Sequence, residues 1–289
     1  MKGIADFEFT RRLGQGPSGT TWLASSPPRL ADRFRAERRS SPNVVVKVVQ
    51  AGPGGSRALD QMATMVSRIA QVSHRRLVPA IEVGRQGTDL YLVSLYYPHG
   101  PLLNPSHELK RSVALRCVGD AARAAHALHE AGIPHGAIRP SNILIEKTGG
   151  MLTDATLPIG SIRPSPTHRQ PDSTIRRPIT LRTLPFEAPE VLQGKPPSRA
   201  SDIWALGASL HQALTKRSIY PSLGQSKGQR AMRTALKNGP QIDPTLTPEE
   251  RMLVQRTLST DPRDRPLTAL EVADVIALAV SKPAEASRA

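Results

Sequence analysis

The sequence predicts an α+β fold in two lobes, a small β-rich one over residues 1–97 and a larger helical one over residues 98–281. Three observations carry this prediction. Strand-like patterns flank the glycine cluster Gly14-Gln15-Gly16-Pro17-Ser18-Gly19. The run Val44-Val45-Val46-Lys47-Val48-Val49 is almost wholly β-branched. The apolar spacing from Val113 to Glu130 is helical, and a loop then feeds the β-branched run Ile143-Leu144-Ile145. Residues 282–289 read as a flexible tail.

Composition bounds the function. With 289 residues, 38% hydrophobic and 22% charged, the chain has the makeup of a globular protein with a substantial core. Its longest apolar run, Val275 to Val280, is far too short to span a membrane. No charged-then-apolar leader precedes Phe7, and the lone Cys117 excludes an intramolecular disulfide or a cysteine-based zinc cluster. These features lead us to expect a reducing, cytoplasmic setting. A net charge of +15 suits an acidic partner, but its basic pairs (Arg11-Arg12, Arg38-Arg39, Arg75-Arg76, Arg176-Arg177) are scattered and not interleaved with aromatics. A solvated basic surface is the plainer reading. An acidic protein partner is a better expectation than nucleic acid.

In chain order, Phe7 to Leu13 alternates like a half-buried strand and Thr20 to Ala24 reads as a second. Glycines between two strands do not suit a dinucleotide fold, in which they open a helix. Residues 25–43 are rich in Pro, Ser and Arg and read as an exposed loop. Lys47 sits inside a buried-type strand. From Arg57 to Val72, Leu59, Met62, Met65, Val66, Ile69 and Val72 recur at helical spacing. His126 and His129, three apart on the later helix, lack local carboxylates or cysteines and read as structural.

The loop His135-Gly136-Ala137-Ile138-Arg139-Pro140-Ser141-Asn142 resembles the protein-kinase catalytic loop H-R-D-L-x-x-x-N. Around it, the glycine cluster resembles the kinase glycine-rich loop and Val44 to Val49 the strand that carries the phosphate-binding Lys. Leu152-Thr153-Asp154-Ala155-Thr156 stands in the place of D-F-G, and Phe186-Glu187-Ala188-Pro189-Glu190 matches the A-P-E region. Ser201 to Gly207 matches D-x-W-x-x-G and Asp261 to Pro266 matches D-P-x-x-R-P. The order and spacing of seven such segments, over roughly residues 6–280, identify a serine/threonine-type protein kinase fold.

The resemblance implies roles, residue by residue. Gly14, Gly16 and Gly19 would cover the nucleotide phosphates, and Lys47 would hold the α- and β-phosphates. Leu95 and Tyr96 would meet adenine through hinge backbone, and Arg139 would replace the usual loop Lys. Asn142 and Asp154 would hold Mg²⁺. Departures are as informative. Ala137 occupies the position of the general base, Gly136 that of the loop Arg, and Ala155 and Thr156 those of the Phe and Gly. Met65 falls at the position of the Glu that pairs with the strand Lys, unless Asp60 reaches in from a shifted register. Val45 would crowd the adenine pocket, and Ser94 is a small gatekeeper. Residues 157–183 would be a mobile activation segment, and Glu190–Arg265 a buried ion pair. The resulting expectation is a pseudokinase that binds ATP weakly and acts as a regulatory or docking module. The alternatives are a weakly active serine/threonine kinase and, behind both, a basic nucleic-acid binder.

Overall fold

The computed structural model describes residues 3–16, 19–31, 43–50, 55–147, 149–155, 179–221 and 228–281. It divides into two units. Met1–Ser73 and Val78–Tyr96 belong to the first; His74–Leu77, Tyr97–Thr156 and Ile179–Ala289 belong to the second. Thr156, the segment up to Pro178, residues 32–42 and the tail from Lys282 lie outside the described residues.

The first unit is a five-stranded antiparallel sheet in the order β1-β2-β3-β5-β4. Its strands are β1 (Glu8–Gly16), β2 (Gly19–Ser25), β3 (Asn43–Gln50), β4 (Ala80–Gln86) and β5 (Asp89–Leu95). Helix α1 (Gly55–Ala70) packs on one face, where Val66 joins Val49 and Leu90, with Ala63, Val83 and Leu92 around them. Strand alternation puts Val45, Lys47 and Val49 on that face and Val44 and Val46 on the other.

The second face is also covered. Ile4, Phe7 and Leu30 are buried, and the Phe7 ring lies 6.1 Å from that of Tyr91. The predicted loop at 25–43 is therefore ordered at its start: Pro28–Leu30 forms a 3-10 turn. Arg29 bridges Asp6 at 2.5 Å and Glu82 at 2.6 Å, fixing the turn over the sheet. The predicted half-buried strand at Phe7 to Leu13 is corrected too. Phe7 precedes β1 in a bridge to Ile4, and β1 is mostly exposed because it is an edge strand. Within β1 only Phe9 is half-buried, stacked 4.8 Å from Trp22.

The second unit is built on α2 (Arg111–Glu130) and α4 (Arg199–Thr215). The hairpin β6 (Ile143–Glu146) and β7 (Gly149–Leu152) packs on α2. His74–Leu77 joins this unit because Leu152 N–H donates to Arg76 O (2.8 Å) and Arg76 pairs with Asp120 at 3.2 Å. Helix α4 starts at a capping box, with Ser201 N–H donating to Ser198 Oγ at 3.2 Å. It is buried on nearly every side. It packs against α2, α6 (Pro248–Thr257) and α7 (Ala269–Ser281), and the unit also holds α3 (Pro189–Leu192) and α5 (Gly228–Asn238). Gly207 permits the close α4–α6 approach, since a Cβ there would sit 2.0 Å from Thr257 Oγ1. No described helix is long and apolar enough to cross a membrane.

The Glu190–Arg265 pair forms as expected. Arg265 donates to Oε1 at 2.8 Å and to Oε2 at 2.9 Å, and its guanidinium lies 5.3 Å from the Trp204 ring. Its other donors reach the carbonyls of Ser259 and Ala200, both at 2.9 Å. Removing one partner would strand a buried charge. Glu190→Ala should lower unfolding free energy by about 3–5 kcal/mol in denaturant titrations. A loss under about 1 kcal/mol, the range of surface pairs, would refute that account.

His211 adds a pH-dependent tie. Asp243 N–H donates to its Nε2 at 3.0 Å, so Nδ1 carries the proton and donates to Arg217 O at 3.1 Å. Burial lowers its pKa, against opposing pulls from the Arg217 carbonyl and Asp243. A lowered folded-state pKa means the contribution is complete above the unfolded value of about 6.5 and is lost as pH falls. Unfolding midpoints should drop between about pH 7 and 5. His211→Phe should flatten that slope, and an unchanged slope would exclude His211 as its source.

Candidate functional site

The loop after α2 is held from within the core of the second unit. Gly132, at φ +72°, ends the helix, and its N–H donates to His129 O at 3.0 Å. The chain then meets Asp202 on α4, which is 1% exposed. Its Oδ2 accepts the His135 N–H at 2.6 Å and its Oδ1 the Gly136 N–H at 2.7 Å. His129 Nε2 donates to Oδ2 at 2.8 Å. A buried carboxylate with three donors is well satisfied. The structural reading of His129 holds, but its premise is corrected: a carboxylate is present, supplied 73 residues away by α4.

His135 is fully buried. Its Nδ1 accepts the Ala137 N–H at 3.2 Å, so Nε2 carries the proton toward Thr153 O at 3.1 Å. Asn142 closes the loop: its Nδ2 donates to Ala137 O at 2.9 Å, and Ser141 Oγ donates to its Oδ1 at 3.2 Å. Thr153 N–H donates to Asn142 O at 3.0 Å, tying the loop to the end of β7. Asp154 follows at φ +60°, a left-handed conformation that Asp tolerates better than most residues. Ala137 is buried at 6% exposure and presents a methyl group where a proton acceptor would stand. Arg139 is half-buried on extended backbone, φ −169° and ψ 159°, next to the turn Pro140–Asn142.

In the first unit, Gly14 and Gly16 lie at the end of β1 and Gly19 at the start of β2; Pro17 and Ser18 are outside the described residues. Lys47 is 8% exposed, paired in register with Thr21 and Leu92. Val45 pairs with Ser94, so the larger strand residue stands opposite the small gatekeeper. Leu95 is buried at the end of β5 and Tyr96 follows, half-buried. Met65 is half-buried on α1. Asp60 lies on the same helix, near its middle. Its side chain is 69% exposed and lies 3.7 Å from Arg85.

Sequence reasoning missed the role of Asp202. Its signal is a lone carboxylate immediately ahead of the apolar helix stretch Ile203-Trp204-Ala205-Leu206, where a buried charge must find donors. The distant backbone that supplies them has no sequence signature.

A strand–glycine–strand turn beside a buried strand Lys, and a helical unit presenting the His135–Asn142 loop ahead of Asp154, define a protein-kinase-type module. Residues 7–275 match the family model of the protein kinase domain, and the chain belongs to that family. It is 25% identical over 269 residues to the serine/threonine-protein kinase PkaA of Streptomyces coelicolor, covering 88% of this chain and 46% of PkaA. It is 25% identical over 268 residues to Aurora/IPL1-related protein kinase 2 of Caenorhabditis elegans, covering 91% of this chain and 79% of that protein. The serine/threonine-protein kinase PknK of Mycobacterium tuberculosis is 26% identical over 287 residues, with 93% of this chain and 23% of PknK covered. The chain thus spans less than half the length of PkaA and PknK.

Protein kinase domains in general use ATP with Mg²⁺. The residues present fit that pair. Side-chain positions at Gly14 and Gly16 open onto space with nothing within 4 Å, as backbone that receives phosphate requires. Asn142 and Asp154 offer hard oxygen donors. Among the described residues no group of three or more His, Cys, Asp or Glu side chains gathers around a metal position. Mg²⁺ commonly takes only one or two protein ligands and completes its shell with phosphate and water.

Gly136 sits at φ +69°, with its N–H committed to Asp202. Gly136→Ala should cost about 1–2 kcal/mol, the penalty for a Cβ in the left-handed region. Denaturation together with amide exchange at residues 135–137 would measure it. Unchanged stability and protection would show that the loop relaxes freely.

Proposed function

We propose that this domain is a pseudokinase: it binds Mg-ATP weakly, lacks useful phosphotransfer and acts as a regulatory or docking module for a protein partner. The observation that carries the reading is Ala137. The loop around it keeps its frame, yet no group at that position accepts a proton from a substrate hydroxyl. Losing a general base costs about 10²–10⁴ in rate. Met65 on α1 stands at the position where the family resemblance places the helix Glu. Gly136 supplies no cation to gather a phosphorylated activation segment, so that mode of control is also unsupported.

ATP supplies the transferable phosphoryl group when bound, and Mg²⁺ would neutralise its developing charge. Lys47 and Arg139 would attract phosphate, Gly14, Gly16 and Gly19 would approach it through backbone, and Asn142 with Asp154 would hold the cation. Val45 works against the adenine. A weakly active serine/threonine kinase is the second reading, favoured by these retained donors, because phosphoryl transfer rests largely on positioning and charge. A buried Cys117 is compatible with a reducing intracellular setting, and the charge pattern suits acidic protein better than nucleic acid.

Purified protein should transfer no phosphate to itself or to generic protein substrates, and Ala137→Asp alone should not restore robust activity. Calorimetry should detect weak binding of ATP that Mg²⁺ strengthens. Asp154→Asn should remove the Mg²⁺ dependence and Lys47→Ala should weaken binding further. Ligand at a hundredfold excess over its dissociation constant stabilises by about 2.7 kcal/mol, a melting shift of roughly 5–10 °C. Robust transfer abolished by Lys47→Ala would establish the kinase instead. No binding at millimolar Mg-ATP would leave a docking module alone.

A further inference from the structure

Helix α5 carries a charge pattern unlike the rest of its unit. Elsewhere in the unit several arginines meet carboxylates between elements: Arg123 with Asp274 at 3.1 Å, Arg199 with Glu130 at 3.4 Å and Arg256 with Glu271 at 2.6 Å. On α5, Arg230, Arg233 and Lys237 are all exposed, and none is ion-paired among the described residues. The sequence gives the reason. From Ile203 to Ile242 there is no Asp or Glu at all, and the first acid beyond, Asp243, is taken by Arg217 at 2.9 Å.

This stripe works against its own helix. Arg230 and Arg233 are three residues apart, and Arg233 and Lys237 four, so like charges are neighbours on one face. Arg230 also lies in the first turn, at the positive end of the helix dipole, with no acidic residue there to offset it. Among the described side chains of the opposite face, Ala231 and Ala235 are buried. Leu236, 39% exposed and three residues past Arg233, adds an apolar contact beside the cations. An anionic partner relieves every one of these conflicts at once.

We propose that the exposed face of α5 is a docking surface for an acidic segment of a partner protein, its carboxylates meeting Arg230, Arg233 and Lys237. The three cations span only about 10 Å along the helix, at 1.5 Å per residue. That footprint matches a few carboxylates on one short segment. A duplex or a membrane surface would engage a wider basic face with aromatic anchors, which α5 lacks. The inference deepens the docking-module reading and rests on it for its biological sense. It uses neither Lys47 nor Ala137, so the two stand or fall by separate measurements.

The test is fluorescence anisotropy of a labelled poly-glutamate peptide titrated with the full chain at low and at physiological salt. Binding should weaken with salt, and Arg230→Glu with Arg233→Glu should reduce affinity about tenfold or more. Arg11→Glu with Arg12→Glu removes the same net charge from an exposed strand and should leave affinity within about twofold. Circular dichroism of each variant controls for folding, and the milder Arg230→Gln with Arg233→Gln should give an intermediate loss. No peptide binding, or equal loss in both charge-reversed pairs, would overturn the proposal. Tighter capture of duplex DNA or phosphatidylserine vesicles through the same residues would also overturn it, by naming a different partner. Each outcome is independent of phosphotransfer and ATP titrations.

Discussion

The helical unit depends on a charge placed where charge is expensive. Asp202 sits at 1% exposure within α4, and an unpaired carboxylate there would cost several kcal/mol. It is tolerable because two consecutive backbone N–H groups, those of His135 and Gly136, converge on it, and His129 adds a third donor. The requirement runs both ways. The carboxylate needs the loop, and the loop gains a fixed position that owes nothing to its own side chains at 136 and 137. Gly136 serves the arrangement directly, since its φ of +69° turns the N–H toward Asp202 without a Cβ penalty.

That division explains how chemistry and architecture separate in this chain. The frame uses backbone, Asp202, His129, His135 and Asn142. The position at which a kinase keeps its base contributes only a backbone N–H and C=O to the frame, and alanine supplies both. Deleting the base therefore removes no element of the fold. The Glu190–Arg265 pair similarly joins α3 to the segment before α7 through groups that take no part in any proton transfer.

Much of this was legible in the sequence, for particular reasons. The strand carrying Lys47, the helix from Arg111 and the Glu190–Arg265 pair follow from β-branched runs, apolar periodicity and motif order, which are local or ordered signals. The cover over the outer face of the sheet was not legible. Arg29 looks like one more loop arginine until Asp6 and Glu82, 23 and 53 residues away, are seen to flank it. The carboxylate beside His129 was hidden likewise, because its partner is 73 residues distant. In both cases a long-range polar contact decided the structure, and such contacts leave no periodic trace. The candidate site divides along the same line. Its residues were identifiable by motif, whereas the hydrogen bonds that hold His135 and Asn142 depend on tertiary geometry.

Retention of a motif residue is accordingly uneven as an argument for function. Asn142 donates to Ala137 O and accepts from Ser141, so its amide has structural work with or without a metal. Asp154 occupies left-handed backbone, which selects for Asp or Asn on conformational grounds alone. His135 is a buried connector between Ala137 N–H and Thr153 O. Lys47 differs from all three. Its register opposite Thr21 and Leu92 asks only for a β-forming side chain, so the pairing does not select for Lys. Of the retained residues, Lys47 is therefore the one whose identity its strand pairing leaves open, and Asn142 the one with the most structural work of its own.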